Sequence, residues 1–178
     1  MTKLTAFKDD RKATYLNSDG ADLPLISPIA ADVLDRARSY RLERLRDQMQ
    51  LADVDALLLY DPVNIRYAFD SSNMQVWTAH NAIRYALILS GGPAILFEFK
   101  GCEHLANDLP GIDEVRTAIS YIFMSHGDKA DGFLRNWANE ISDLVYQYGS
   151  QKPRLAADKV DLNAVHALTE LGVSVVDG

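Results

Sequence analysis

The run Val54-Asp55-Ala56-Leu57-Leu58-Leu59-Tyr60, closed by Asp61-Pro62, constrains this chain more than any other stretch. Its length suits a strand, and its almost unbroken apolar character suits one buried on both faces. Such a strand needs neighbours on either side and helices over both faces of the sheet. Proline cannot donate to a ladder, so the chain leaves the sheet at Pro62. Asp61 is placed to cap a short helical turn with Pro62 in its first position, and that turn carries Asn64, Arg66 and Tyr67.

Other apolar segments extend the pattern. Arg84–Leu89 and Ala94–Phe99 read as two strands joined at Gly91-Gly92 in an antiparallel hairpin. Helical spacing predicts one long helix from about Ala30 to Ala52 and another over 128–148, the latter marked by Phe133, Leu134, Trp137, Ile141, Leu144, Val145 and Tyr148. A short helix near 101–107, strands near 114–123, at Arg154–Asp158 and at Val173–Val176, and a helix over Leu162–Leu171 complete the order. A hairpin set among alternating strands and helices predicts an α/β fold, a mixed β-sheet flanked by helices. In the first long helix Leu34, Ala37, Leu42, Leu45, Met49 and Ala52 share an arc of about 140°. Arg38 and Arg41 point into that arc, either snorkelling at its rim or meeting a second subunit.

Residues 1–27 show no helical or strand period and read as an amino-terminal arm, with Leu23, Leu25 and Ile26 positioned to dock; the domain proper is expected over 28–178. The chain stops two residues past a strand, which reads as a domain boundary inside a longer protein. Hydrophobic residues make up 48% of the 178, enough for a real core, and no run is apolar and long enough for a membrane span. Eighteen basic residues against 25 acidic, net charge −7, argue against a nucleic-acid partner. A single cysteine, Cys102, and no signal-peptide pattern point to the cytoplasm.

Little here has the spacing of a catalytic site. His80, His104, His126 and His166 stand far apart, with neither a His-x-x-x-His nor a Cys-x-x-Cys pair, and read as surface or satisfied core residues. Cys102 reads as buried and inert, since nothing places a base beside it. Gly91-Gly92 lacks the Lys-Ser/Thr of a phosphate loop. The polar information is concentrated between two buried strands, in residues 61–84. A loop held by rigid flanks is where binding groups usually sit, and it is also where caps and turns collect. Ser72-Asn73-Met74-Gln75 fits a capping box ahead of a short helix.

An Arg-rich helix reading RLERLRDQM, an apolar strand and then Asp61-Pro62-Val63-Asn64-Ile65-Arg66-Tyr67 together resemble the amino-terminal domain of the creatinase/prolidase/Xaa-Pro aminopeptidase superfamily, the "pita-bread" M24 metallopeptidase relatives. The resemblance covers residues 34–178. The continuation, Asp70 to Trp77, His80-Asn81, Arg84, Gly127-Asp128-Lys129 and Asp158-Lys159, looks most like the branch of M24-type dimethylsulfoniopropionate lyases.

That resemblance implies a creatinase/prolidase amino-terminal fold with a ribonuclease H-like motif. It implies a divalent metal pair in a carboxy-terminal catalytic domain, with no catalytic residue, cofactor or metal ligand in the present chain. It also implies homodimer contacts and a wall of an active site that takes a small zwitterionic or peptide substrate. The substrate-facing candidates are Arg66, Asp70, Trp77, His80, Asn81 and Arg84. A guanidinium suits a carboxylate and an indole face suits a cationic head, so Arg66 or Arg84 with Trp77 supplies both. The alternative is a stand-alone peptide- or protein-binding module without an enzymatic parent.

Overall fold

A computed structural model describes residues 29–106 and 109–178, together with the backbone of two strands, Lys12–Leu16 (β1) and Asp22–Ile26 (β2). The chain divides into two compact units, residues 1–37 and 38–178. In the first, β1 and β2 pair antiparallel with Lys12 opposite Ile26 and Leu16 opposite Asp22. The expected arm thus contains a hairpin that its sequence announces only weakly. The expected docking of Leu23, Leu25 and Ile26 lies outside the described side chains. Helix α1 runs from Ala31 to Leu51 and carries an exposed Arg36–Asp32 ion pair one turn apart, at 2.6 Å.

In the second unit the strands are Ala56–Leu59 (β3), Tyr85–Leu89 (β4), Ala94–Glu98 (β5), Glu114–Thr117 (β6), Arg154–Ala157 (β7) and Ser174–Asp177 (β8). They form one sheet in the order β6-β5-β4-β3-β7-β8. β4 is antiparallel to both of its neighbours, β3 and β5, and the other pairings are parallel. The helices are Pro62–Phe69 (α2), Gln75–His80 (α3), Phe123–His126 (α4), Ala130–Tyr148 (α5) and Leu162–Glu170 (α6), with 3₁₀ turns at Glu103–Ala106 and Gly127–Lys129.

The period of two along each strand sorts its side chains onto opposite faces. Leu58, Leu87, Ile95 and Leu155 meet Trp137, Ile141 and Val145 of α5 and Leu168 of α6. Leu57, Leu59, Ile88 and Leu96 meet Leu42 and Met49 of α1 and Ile65 and Phe69 of α2. The sheet is therefore buried on both sides, as the Val54–Tyr60 run requires. The apolar arc of α1 is narrower than its spacing predicts: Leu42 and Met49 are buried, Leu45 is half-buried and Ala52 is exposed.

Two further expectations are corrected, the end of β6 and the burial of Cys102, and one is met, the hairpin at Gly91-Gly92. β6 ends at Thr117 rather than near 123. The Ala118 amide still donates to the Glu98 carbonyl, and the next amide, of Ile119, donates to the Tyr85 hydroxyl. Gly91 and Gly92 do lie in the hairpin between β4 and β5, but neither has a positive φ. What Gly92 answers to is Tyr148, whose ring carbons would stand 2.7 Å from a Cβ. Cys102 is half-buried, not buried.

Candidate functional site

The 61–84 segment begins with a tight joint. Asp61 caps α2 by accepting from the Val63 and Asn64 amides, and Pro62 opens the helix. The Asp158 carboxylate, just beyond β7, accepts from the Tyr60 amide (2.7 Å), the Asp61 amide (3.0 Å) and Asn64 Nδ2 (2.9 Å). Asp-Pro-x-Asn is thus a clamp between the ends of two parallel strands. Ile65 and Phe69 point into the core, while Arg66 and Tyr67 face out.

Past α2 the chain turns at Asp70, which has φ 52° and closes the helix with its amide on Arg66 O. Its carboxylate accepts from Nε (2.9 Å) and Nη2 (2.7 Å) of Arg38. The Arg41 guanidinium stands 5.7 Å from the Tyr67 ring centroid, within cation–π range. The two arginines of the apolar arc therefore engage this segment of their own chain.

The next turn is held from beneath. Arg84 is 1% exposed; its Nε donates to Glu98 Oε2 at 2.7 Å and its Nη2 to Ser71 Oγ at 2.6 Å. Glu98 also accepts from Asn73 Nδ2 and the Phe99 amide. Arg84 was expected to face substrate and is instead part of the core, because a carboxylate buried in β5 needs a cation within reach. The expected capping box does not form. Met74, with φ 43°, is the residue that caps α3, without a side-chain bond, while Ser71 and Asn73 on either side of Ser72 are drawn inward.

The remaining candidates are placed as follows. Trp77 is 43% exposed on α3, beside Met74 and Val76, which are more exposed still. His80 is exposed at the end of α3, and half-buried Asn81 donates its Nδ2 to Trp77 O. The Lys159 ammonium donates to Ala79 O, tying α3 to the chain end of β7. Outward-facing Arg66, Tyr67, Met74, Trp77 and His80 thus share one segment clamped at Asp158, Glu98 and Lys159. Glu98, Asp158 and Lys159 carry no role in a reading of the loop alone. The signal for Glu98 was available: a lone carboxylate inside the apolar strand Ala94–Phe99 must find a buried partner.

Among the described residues no group of three or more His, Cys, Asp or Glu side chains could hold a metal ion. Nor, among those residues, is any helix long and apolar enough to cross a membrane.

No family model matches the chain. In sequence it is 34% identical over 150 residues to the dimethylsulfoniopropionate lyase DddP of Roseovarius nubinhibens, covering 84% of this chain and 34% of that protein. It is 36% identical over 141 residues to DddP of Roseobacter denitrificans, covering 79% and 32%. The chain thus spans about a third of the length of these relatives. In structure it is similar to an Xaa-Pro aminopeptidase from Streptococcus thermophilus (TM-score 0.53, 17% identity, 80% of this chain and 92% of that one). It is also similar to the creatinase/prolidase amino-terminal domain of an X-Pro dipeptidase from Streptococcus pyogenes (TM-score 0.50, 14% identity, 78% and 92%). The chain is thus similar in sequence to dimethylsulfoniopropionate lyases and shares the fold of creatinase/prolidase amino-terminal domains. At these identities the likeness to the peptidases is one of fold, and the sequence kinship is with the lyases. In this domain the Asp61-Pro62-Val63-Asn64-Ile65-Arg66-Tyr67 motif works as a strand-to-helix clamp, with Arg66 and Tyr67 left outward.

Proposed function

We propose that this domain is a non-catalytic part of a larger M24-type metal-dependent enzyme, a peptidase-like hydrolase or a lyase, over residues 28–178. Its work is to contribute contacts between two copies of the enzyme and one wall of an active site. The observation that carries this is the α2–α3 segment: a row of outward Arg66, Tyr67, Met74, Val76, Trp77 and His80 on a turn held from beneath by Glu98, Arg84 and Lys159. A loop that only joined β3 to β4 would not need an exposed indole or three tertiary clamps.

The chemistry is that of binding and exclusion. A wall brought against a metal centre keeps water from it and orients the substrate. Trp77 offers an aromatic face to a cationic head and Arg66 a planar fork to a carboxylate, a pair suited to a small zwitterion or a peptide terminus. Asp70, bound by Arg38, sets the turn between them, and Asn81 holds the last turn of α3.

The test is made in the full-length enzyme. Trp77→Ala lowers kcat/KM at least about tenfold, some 1.4 kcal/mol of transition-state stabilisation, with little change in melting temperature. Val76→Glu, a charge on the same exposed row, weakens self-association in sedimentation. Unchanged kcat/KM in the first variant and an unchanged sedimentation coefficient in the second would overturn the proposal.

A further inference from the structure

Five strands of the main sheet run one way and β4 opposes them. The segments that follow β5 and β6 and the one that precedes β4 therefore meet at the edge of carboxyl strand ends, where open α/β sheets hold ligands. A cleft of about 350 Å³ opens there. Ile83, Phe99, Ile119 and Phe133, all half-buried, supply its apolar surface. Its polar lining is Lys100, Ser120, Ser125, His126 and Asn136. The His126 ring stacks on Phe133, centroids 3.8 Å apart, which holds the imidazole against the cleft.

The charge pattern is the informative part. No Asp or Glu lines this cleft, in a chain of net charge −7. On the adjoining elements Glu98 is bound to Arg84 and Asn73, Glu103 to the Thr117 hydroxyl and the Gly101 amide, and Glu140 to Arg116, while Asp128 and Asp131 lie outside the lining of the cleft. Lys100 is exposed and has no ion-pair partner among the described residues. Ser120 Oγ is buried with no hydrogen-bond partner among them. An ammonium, hydroxyls and an amide around an apolar floor, with no carboxylate, match one ligand chemistry.

We propose that this cleft binds a small organic carboxylate with an apolar body. Lys100 pairs with the carboxylate, and the Ser120 and Ser125 hydroxyls and the Asn136 amide donate to its oxygens. Ile83, Phe99, Ile119 and Phe133 take the hydrocarbon or aromatic part. A cationic ligand finds no counter-charge, and a bare anion leaves the apolar floor wet. None of the polar residues involved belongs to the 61–84 segment, so this inference stands or falls independently of the domain's proposed role.

The test is a titration of the ¹⁵N-labelled chain with phenylacetate, followed by amide chemical shifts. Saturable shifts are expected at Ile83, Lys100, Ser120 and Asn136, with half-saturation at or below about 10 mM, as a cleft of this size allows. Phenylacetamide, the same shape without the charge, and acetate, the charge without the body, each bind at least about tenfold more weakly. Lys100→Gln, at an exposed position, leaves the spectrum folded and weakens phenylacetate at least about fivefold. Equal binding of phenylacetate and phenylacetamide, non-saturating shifts scattered over the surface, or undiminished binding by Lys100→Gln would overturn the proposal.

Discussion

Arg84 and Trp77 belong to the same segment and have opposite surroundings. Arg84 lies almost wholly out of water against Glu98, and Trp77 leaves nearly half its surface in it. Removing the guanidinium strands a buried carboxylate, so Arg84→Ala is expected to cost about 3–5 kcal/mol. Removing the indole loses only partly buried surface, and Trp77→Ala is expected to cost under about 1 kcal/mol. Urea denaturation of the two variants separates them; equal midpoints would show that the Arg84–Glu98 pair does not hold the turn. Arg84→Lys restores the charge but not the fork that reaches both Glu98 and Ser71, and should fall between.

The strands and helices are built from similar local bargains. Leu58 in β3 has no exposed surface and packs against α5, so Leu58→Ala should cost about 2–5 kcal/mol. Two glycines at α5 make a sharper comparison. A Cβ on Gly149 would stand 2.6 Å from Val145 O and 2.9 Å from Asp55 Cβ, whereas one on Gly132 meets nothing within 4 Å. Gly149→Ala should therefore lower the melting temperature. Gly132→Ala, inside the helix, should raise stability by about 0.5–1 kcal/mol. Thermal unfolding followed by circular dichroism reads both. The joint between β3 and α2 is equally specific: Asp158→Ala removes the acceptor of three bonds and should cost about 1–3 kcal/mol.

For the molecule as a whole, the clearest pH response lies on the alkaline side. Burial pushes the Tyr60 and Tyr85 hydroxyls well above the ordinary tyrosine value and pushes Tyr121 up to about 12. A folded-state value above the unfolded one means that the native protein keeps a proton the unfolded chain has lost. Between the two values stability must fall as pH rises. The contribution of these tyrosines is therefore complete below about pH 10 and is lost through pH 12 and above. Urea midpoints measured from pH 8 to 11.5 should hold level and then decline, with tyrosinate absorbance of the buried residues appearing only with unfolding. A flat midpoint across that range would contradict the assignment.

Much of this architecture is legible in the chain itself. Apolar runs that no charge interrupts name β3 and β4. The helical period over Phe133–Tyr148 names α5, and Asp61-Pro62 names the start of α2, because each signal arises from neighbours in sequence. The β1–β2 hairpin is announced only weakly, since each alternation, Lys12-Ala13-Thr14-Tyr15 and Asp22-Leu23-Pro24-Leu25, spans four residues and Pro24 sits inside the second. β6 stops at Thr117, and just beyond it the Ile119 amide is held by the hydroxyl of Tyr85, a partner remote in sequence. The candidate site divides in the same way. Its segment could be picked out by its crowd of polar groups, but not which of them face outward. Arg84 turned inward because Glu98, on the next strand, is buried beside it. Asp70 was claimed by Arg38, and Trp77 was left in view because the turn beneath it is tied down by partners remote in sequence. Composition and period determine which residues must leave water. Only the tertiary structure decides which charges meet there, because an ion pair is formed by proximity in space, and sequence separation does not specify it.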